Sequence, residues 1–159
     1  MLVIVTHAHI DHIGALDIVR RSTGAKAVIH SADAYSLQDP DLNLSVLMNQ
    51  PQRFEFPEVV VEHESTMSLG EMTLQFIHTP GHTPGSISVL VDENVFTGDC
   101  LFAGGIGRVD LPGGSWDALA SSIKERLYLL PDVTKVFPGH GPETTIGEER
   151  KSNPYVRSS

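Results

Sequence analysis

LVIVTHAHIDHIG, residues 2–14, joins an apolar run to a dense group of titratable side chains. The first five of these residues are apolar or β-branched at both odd and even positions, which is typical of a strand buried on both faces. His7 and His9 are two residues apart, so in an extended segment both imidazoles point the same way and can approach one ion. Asp11 and His12 come where the chain turns into a helix and can face a neighbouring point. These four donors can begin two metal sites but complete neither.

Three further loops supply the side chains that such sites still need. Each follows a predicted strand and is rich in glycine or proline, and α/β proteins place their chemistry at such strand ends. The loops read TPGHTPGS, FTGDCLF and FPGHGPE, and they present His82, Asp99 and His140. We therefore predict a metal centre built from His7, His9, Asp11, His12, His82, Asp99 and His140.

The remaining pattern predicts an α/β fold. IGALDIVRRSTG, residues 13–24, has apolar residues at helical spacing and ends in glycine. AKAVIH, residues 25–30, indicates a second buried strand, and Ser31 is expected to cap a short helix. SISVLVD and NVFTGD indicate a hairpin, and Ser115 and Thr145 are expected to cap two later helices. The order strand, helix, strand at the start is typical of layered α/β proteins.

The composition fits one globular domain over residues 1–159, with 40% hydrophobic and 19% charged residues. Twenty acidic against 11 basic side chains give a formal net charge of −9, which argues against nucleic acid or an anionic membrane as a partner. The single cysteine, Cys100, excludes an intrachain disulfide and is expected to be a small buried core residue. No apolar run is long enough for a signal-peptide core or a membrane span, so we expect a cytoplasmic location.

Three other histidines are interpreted as structural. His30 ends a predicted strand, His63 follows one, and His78 precedes His82 without a loop signature of its own. A lone histidine without a supporting motif is more often a surface or hydrogen-bonded residue than a ligand.

THAHIDHIG, TPGHTPGS, TGDCLF, GGIGR and FPGHGPETTIGEERKSNPY together resemble the metallo-β-lactamase superfamily, and within it the glyoxalase II-like hydrolases (the hydroxyacylglutathione hydrolase group). The resemblance extends over nearly the whole chain and implies an αβ/βα sandwich. Members of the family usually have several strands before the first histidine motif, whereas only MLVI stands there in this sequence. We therefore expect an N-terminally truncated fold with an incomplete first sheet, whose uncovered edge favours a homo-oligomer.

The resemblance also implies a division of the ligands between two metals. By this resemblance the first metal is held by His7, His9 and His82, the second by Asp11, His12 and His140, and Asp99 bridges the two. Zinc is the expected ion, with iron or manganese as alternatives, because sites of this kind accept all three. The implied reaction is hydrolysis of a thioester such as S-D-lactoylglutathione by water that the metals activate. Asp11 can also orient that water.

Arg108, in GGIGR, lies where related thioesterases place a basic residue that meets a glutathione carboxylate, and a guanidinium can bind a carboxylate bidentately. An arginine that only anchors its own surface loop is an equally good interpretation. Asp110 stands where relatives often carry an aromatic substrate contact. The C-terminal helical domain that helps longer relatives bind glutathione is also missing from this sequence.

Other functions stay open at this point. Sulfur dioxygenases of the same fold use a single iron held by two histidines and an aspartate, and they keep many of the same motif residues. A domain that binds metal with little activity would also keep the ligands. His12 stands where many true β-lactamases carry arginine, which argues against antibiotic hydrolysis. A nuclease is disfavoured by the net charge of −9 and the lack of a basic stripe.

Overall fold

The computed structural model describes residues 1–157, and its strands form two main sheets and a small ribbon. The strands are β1 (Leu2–Ile4), β2 (Lys26–His30), β3 (Val59–Val61), β4 (Thr66–Leu69), β5 (Met72–His78), β6 (Ile87–Val91), β7 (Asn94–Gly98), β8 (Leu101–Phe102), β9 (Gly105–Ile106), β10 (Lys135–Pro138) and β11 (Thr144–Thr145). The first sheet is parallel, in the order β1-β2-β3. The second has the order β11-β10-β7-β6-β5-β4, and β8 pairs with β9.

Helices pack on the outer faces of both sheets. They are α1 (Ile10–Ile13), α2 (Leu16–Thr23), α3 (Ser31–Ala34), α4 (Trp116–Glu125) and α5 (Ile146–Ser152), with 3-10 turns at Tyr35–Gln38, Ser45–Met48 and Leu127–Leu129. The cluster between the first sheet and α1 and α2 includes Ile13, Leu16 and Ile29. The cluster between the second sheet and α4 and α5 includes Val95, Leu119 and Ile146.

The two sheets face each other across a third apolar layer. Its fully buried side chains come from both sheets and are Val28, Val61, Leu74, Phe76, Ile87 and Val89. Burial of side chains of this size contributes about 1.5–3 kcal/mol each, so this layer holds the sheets together. The sequence of layers is helix, sheet, sheet, helix, and the predicted αβ/βα sandwich is confirmed.

The open end of this sandwich lies beside β1. Leu2, Val3 and Ile4 are only half-buried, so the prediction of a strand buried on both faces was wrong for β1. The reason is that β1 pairs with β2 and lies at the edge of its sheet among residues 1–157. Ile4 and Phe96 border a groove of about 320 Å³ between the sheets. Self-association through this end stays a prediction.

Local capping agrees with the sequence at two helices and differs at a third. Ser115 Oγ accepts a hydrogen bond from Ala118 N at 3.3 Å, and Thr145 Oγ1 accepts one from Glu148 N at 3.2 Å, as expected. Helix α3, by contrast, is capped by His30, and Ser31 is its first helical residue. The prediction of Ser31 as the cap was wrong because the imidazole of His30, at the end of β2, accepts the hydrogen bond from Ala32 N.

The topology brings several strand ends to one edge of the sandwich. β1 runs parallel to β2, and β7 runs parallel to β10. Backbone hydrogen bonds join the loops there: Ile87 N donates to Thr6 O at 2.9 Å and Gly139 N donates to Gly98 O at 2.8 Å. The loops after β1, β5, β7 and β10 therefore meet at this edge. Within residues 1–157, none of the helices combines the length and apolar character that crossing a membrane requires.

Candidate metal centre

All seven predicted ligands lie together at this edge. They form three overlapping groups in which one donor atom from each side chain lies within 4.8 Å of the others. The groups are His7 with His9 and His82, His7 with His12 and Asp99, and Asp11 with His12 and His140.

The first group is buried. His7, His9 and His82 are 0–3% exposed. Nδ1 of His9 lies 2.9 Å from Nε2 of His82. The ring of His7 stands nearly perpendicular to both, with centroids 4.8 Å from His9 and 4.7 Å from His82. Three imidazoles therefore converge from two loops on one point.

The second group opens to solvent. Nε2 of His140 lies 3.2 Å from Oδ2 of Asp11, and Nε2 of His12 lies 3.5 Å from the same oxygen. The side chains of Asp11 and His140 are about half exposed, whereas that of His12 is 17% exposed. One pole of the centre is thus buried, and the other is accessible to small molecules.

Asp99 lies between the two groups. Its Oδ1 is 3.3 Å from Nε2 of His12, and its Oδ2 is 3.7 Å from Nε2 of His82 and 3.5 Å from Nε2 of His140. A single carboxylate therefore reaches histidines of both groups, which is the position a bridging ligand would need.

Several donor atoms of the centre lack any hydrogen-bond partner within residues 1–157. They are buried and include Nε2 of His7, Nε2 of His12 and Oδ1 of Asp99. A buried polar atom without a partner costs about 1–3 kcal/mol, so such atoms are rarely left together without a ligand. Imidazole nitrogen and carboxylate oxygen are the donors that zinc and similar divalent ions take. The residues present fit two divalent metal ions.

The electrostatics of the buried group favour the neutral, metal-binding form of histidine. Burial, followed by the charges of neighbouring histidines, lowers the pKa of His7 well below 6.5. Burial and the neighbouring His82 lower the pKa of His9 to about 4. Both rings are therefore neutral at pH 7, and a cation displaces no proton from them when it binds.

His12 and Asp99 shift each other's pKa, because Nε2 of His12 lies 3.3 Å from Oδ1 of Asp99. Burial alone would lower the pKa of His12, but the nearby carboxylate of Asp99 raises it. Burial alone would raise the pKa of Asp99, but the nearby imidazole of His12 lowers it. A carboxylate that stays ionised thus lies at the middle of the centre and attracts cations.

Backbone contacts hold the ligands in position. Nδ1 of His82 lies 2.8 Å from the carbonyl oxygen of Arg108. Because a carbonyl only accepts, Nδ1 carries the proton and Nε2 presents its lone pair to the site. Gly139 packs so closely that a Cβ there would lie 2.3 Å from Oδ1 of Asp99 and 2.8 Å from Cε1 of His12.

A cavity of about 380 Å³ opens above the exposed pole. Its walls are largely apolar and are formed by Leu44, Leu47, Phe102, Ile106 and Leu111. The centre supplies the polar floor, an arrangement that is typical of small-molecule sites.

Arg108 borders the same cavity but is engaged by its own loop. Its Nε and one terminal nitrogen donate to the two carboxylate oxygens of Asp110, at 2.9 and 2.8 Å. Both side chains are 68% exposed. This geometry agrees with the anchoring interpretation of Arg108 and leaves its guanidinium beside the cavity.

The other histidines lie outside the three ligand groups. His30 and His78 stack with centroids 3.9 Å apart, and His78 donates from Nε2 to Pro84 O at 2.8 Å. Nδ1 of His63 accepts from the backbone N of His78. Cys100 is buried as predicted, and burial raises the pKa of its thiol to about 12.

Asp33 is a buried carboxylate that the sequence did not single out. It lies on α3, directly after β2, and is 0% exposed. It accepts hydrogen bonds from Ala8 N, Thr83 Oγ1 and Gly85 N. Its position after a buried strand that is parallel to β1 is the one sequence signal that could have identified it.

Comparisons with known proteins agree with this geometry. The family model described as "Metallo-beta-lactamase superfamily" matches residues 2–140. The probable metallo-hydrolase YqgX of Bacillus subtilis is 40% identical over 98% of this chain and 75% of its own length. The hydroxyacylglutathione hydrolase GloC of Haemophilus influenzae is 35% identical over 99% of this chain and 76% of its own.

Two solved structures extend the likeness to three dimensions. The B3 metallo-beta-lactamase BLEG-1 superposes with a TM-score of 0.94 at 40% identity, covering 99% of this chain and 78% of that one. TTHA1623, solved in a di-iron-bound form, superposes with a TM-score of 0.86 at 36% identity, covering 98% of this chain and 77% of that one. The match to TTHA1623 is to a protein that holds two metal ions.

Proposed function

This chain belongs to the metallo-β-lactamase superfamily, and we propose that it is a hydrolase that cleaves thioesters with the help of two bound divalent metal ions. The observation that carries this proposal is the position of Asp99, within 3.3–3.7 Å of histidines from both donor groups. A centre for one ion would not need two histidine groups joined by a carboxylate. Zinc is the ion we expect, since nitrogen-rich donor sets suit it.

Each side chain then has a part in the reaction. His7, His9 and His82 would hold one ion, Asp11, His12 and His140 the other, and Asp99 both. Bound divalent ions at such a site lower the pKa of water and polarise a carbonyl group, so that hydrolysis needs no nucleophilic side chain. Asp11, half exposed at the mouth of the centre, would orient the attacking water through its carboxylate.

The cavity supports a substrate with an apolar part next to a polarised carbonyl. Leu44, Leu47 and Phe102 would bury that part and exclude water from the reacting carbonyl. The similarity to GloC supports a thioester such as S-D-lactoylglutathione as the first compound to test. Arg108 would meet a carboxylate of such a thiol at the rim, in competition with Asp110.

A second candidate is β-lactam hydrolysis, because BLEG-1, a B3 metallo-beta-lactamase, superposes so closely. The same centre would polarise a lactam carbonyl as readily as a thioester carbonyl. We favour the thioester because its leaving thiolate departs without needing a proton, whereas the amine that leaves a β-lactam needs one.

The test is a parallel assay of zinc-reconstituted protein with S-D-lactoylglutathione and with a β-lactam. We expect thioester turnover that chelation abolishes and added zinc restores. Asp99→Asn should lower kcat/KM by orders of magnitude, whereas His63→Ala, outside the centre, should leave it unchanged. Folded, zinc-loaded protein that does not hydrolyse the thioester would refute the proposal. β-Lactam turnover in its place would support the second candidate, and oxygen uptake with glutathione persulfide would indicate a dioxygenase.

A further inference from the structure

Asp33 connects the two loops that carry the buried histidines. Its Oδ2 accepts from Ala8 N at 3.2 Å, and Ala8 lies between His7 and His9. The same oxygen accepts from Thr83 Oγ1 at 2.7 Å, and Thr83 directly follows His82. Asp99 contacts the ligand rings of these segments directly, whereas Asp33 bonds to the residues beside them. We infer that Asp33 is a positioning residue that sets the separation of the His7–His9 pair from His82, and hence the affinity of the centre for metal.

The third hydrogen bond of Asp33 fixes the rest of the second loop. Oδ1 accepts from Gly85 N at 2.6 Å. A Cβ on Gly85 would lie 2.4 Å from Asp33 N and 2.6 Å from Oδ1, so only glycine allows this approach. The carboxylate is thus held by three donors from two loops. One donor lies 25 residues before Asp33 in the chain, and the other two lie 50 and 52 residues after it. Its position is determined by the fold and not by its own helix.

The charge of Asp33 makes this connection stronger than a neutral one. The residue is fully buried, and its carboxylate accepts hydrogen bonds from two backbone N–H groups and one hydroxyl. A buried carboxylate needs such donors, and hydrogen bonds to an ionised acceptor are about twice as strong as neutral ones. Loss of the charge would therefore loosen both loops together, and the imidazoles of His7, His9 and His82 would no longer converge on one point.

Asp33 hydrogen-bonds to Ala8, Thr83 and Gly85, which are neighbours of the ligands, and so acts on the ligands through the adjacent chain. Residues that orient ligands in this way typically change metal affinity by about 10–100-fold when they are replaced. The inference rests on the proposed function to the extent that the centre must bind metal. It extends that proposal to a residue that no ligand motif contains.

The experiment measures the dissociation constant of Zn²⁺ by competition with a chromophoric chelator, in wild type and three variants. Asp33→Asn keeps the shape of the side chain but removes its charge. The new amide NH₂ would place a donor opposite the N–H of Gly85 or Ala8, where an acceptor is needed. Thr83→Val keeps the carboxylate and removes one of its partners. Glu149→Gln is the matched control, because Glu149 is also buried and also connects separate segments, through Gly104 N and Thr144 Oγ1.

We expect the Zn²⁺ dissociation constant to rise about tenfold or more in Asp33→Asn, to rise severalfold in Thr83→Val, and to stay within twofold of wild type in Glu149→Gln. The visible absorption bands of the Co²⁺-loaded protein should change in Asp33→Asn and not in the control. Thermal unfolding of each metal-free variant reports whether it folds. If Asp33→Asn does not fold, the Zn²⁺ dissociation constant of Thr83→Val tests the inference in its place.

A folded Asp33→Asn, or in its place Thr83→Val, that binds Zn²⁺ as tightly as wild type would overturn the inference. This outcome differs from a failure of the proposed function. If wild type itself does not bind Zn²⁺, the metal centre is refuted. If wild type and the Asp33 variant bind it equally, the centre stands and only the role of Asp33 is refuted.

Discussion

Nδ1 of His9 and Nε2 of His82 lie 2.9 Å apart, although 73 residues separate them in the chain. Burial, followed by the charge of His82, lowers the pKa of His9 to about 4. Two ring nitrogens thus face each other at a buried position, an arrangement that a shared cation stabilises. This contact between the loop after β1 and the loop after β5 is the geometric basis of the proposed metal centre.

Gly139→Ala should weaken metal binding without unfolding the protein. The new Cβ would lie 2.3 Å from Oδ1 of Asp99 and 2.8 Å from Cε1 of His12, so the bridging carboxylate must move. We expect zinc affinity to fall by about tenfold or more, as for other changes that displace ligands. The measurement is zinc competition with a chelator. Gly24→Ala is the control: alanine at its φ of 69° lowers the stability of the fold, but its Cβ would meet nothing within 4 Å, so zinc affinity should not change. Equal affinity in both variants would contradict the assignment of Asp99.

Asp110→Asn should release Arg108 and improve the binding of thioesters that carry a carboxylate. In the structure the two carboxylate oxygens of Asp110 take both hydrogen bonds that Arg108 donates at the rim. Because the pair is exposed, we expect KM for S-D-lactoylglutathione to fall only about two- to fivefold, with kcat unchanged. The double variant Asp110→Asn, Arg108→Met should lose this gain. An unchanged KM in the single variant would mean that Arg108 serves its loop alone.

Arg20→Met should destabilise the fold. The guanidinium of Arg20 is 7% exposed and donates to Asp17, Glu58 and the carbonyls of Glu55 and Phe56. Its loss removes all of these hydrogen bonds at a buried position, so the free energy of unfolding should fall by about 2–4 kcal/mol. Urea denaturation measures the change. Arg21→Met is the adjacent control.

The side chain of Arg21 is 63% exposed, and its contact with Glu55 is 3.8 Å long. An exposed pair of this kind contributes about 0–1 kcal/mol. Similar losses in Arg20→Met and Arg21→Met would show that the network around Arg20 does not hold the 54–58 segment against the first sheet.

Acidification should destabilise the metal-free protein partly through His30. Burial, followed by the charge of His78, lowers the pKa of His30 below 6.5. The unfolded chain therefore binds a proton at higher pH than the folded protein does. The contribution of neutral His30 to stability is fully present above about pH 6.5 and is lost as the pH falls below that value. His30→Asn keeps a capping acceptor and removes this proton site. The difference in unfolding free energy between wild type and variant should shrink from pH 8 to pH 5, and a constant difference would contradict the effect of His30.

The sequence predicted which side chains meet at the candidate centre better than it predicted their surroundings. His82, Asp99 and His140 could be identified because each stands in a glycine-rich loop after a strand. Asp33 could not, because its partners are backbone groups and a hydroxyl of two distant loops, and pairing of that kind leaves no spacing in the sequence. The short strands β8 and β9 were missed for a related reason, since two-residue strands in a glycine-rich segment have no alternation to detect.

The edge strand was misjudged for a different physical reason. Leu2, Val3 and Ile4 have the apolar character of a buried strand, but burial depends on what lies on each side of it. The capping of α3 by His30 instead of Ser31 is similar, because either side chain can accept the bond and only the path of the chain decides. Composition indicates which residues prefer burial or capping, and tertiary structure determines which of them achieve it.

The most direct test of the central claim is a count of metal ions in the purified protein. Metal-free protein is incubated with excess Zn²⁺, freed of unbound ion, and analysed for zinc and protein together. We predict two zinc ions per chain in wild type and a lower number in Asp99→Asn, in which the shared carboxylate is lost. Folded wild-type protein that retains no zinc, or equal zinc in both proteins, would contradict a centre of two ions joined by Asp99.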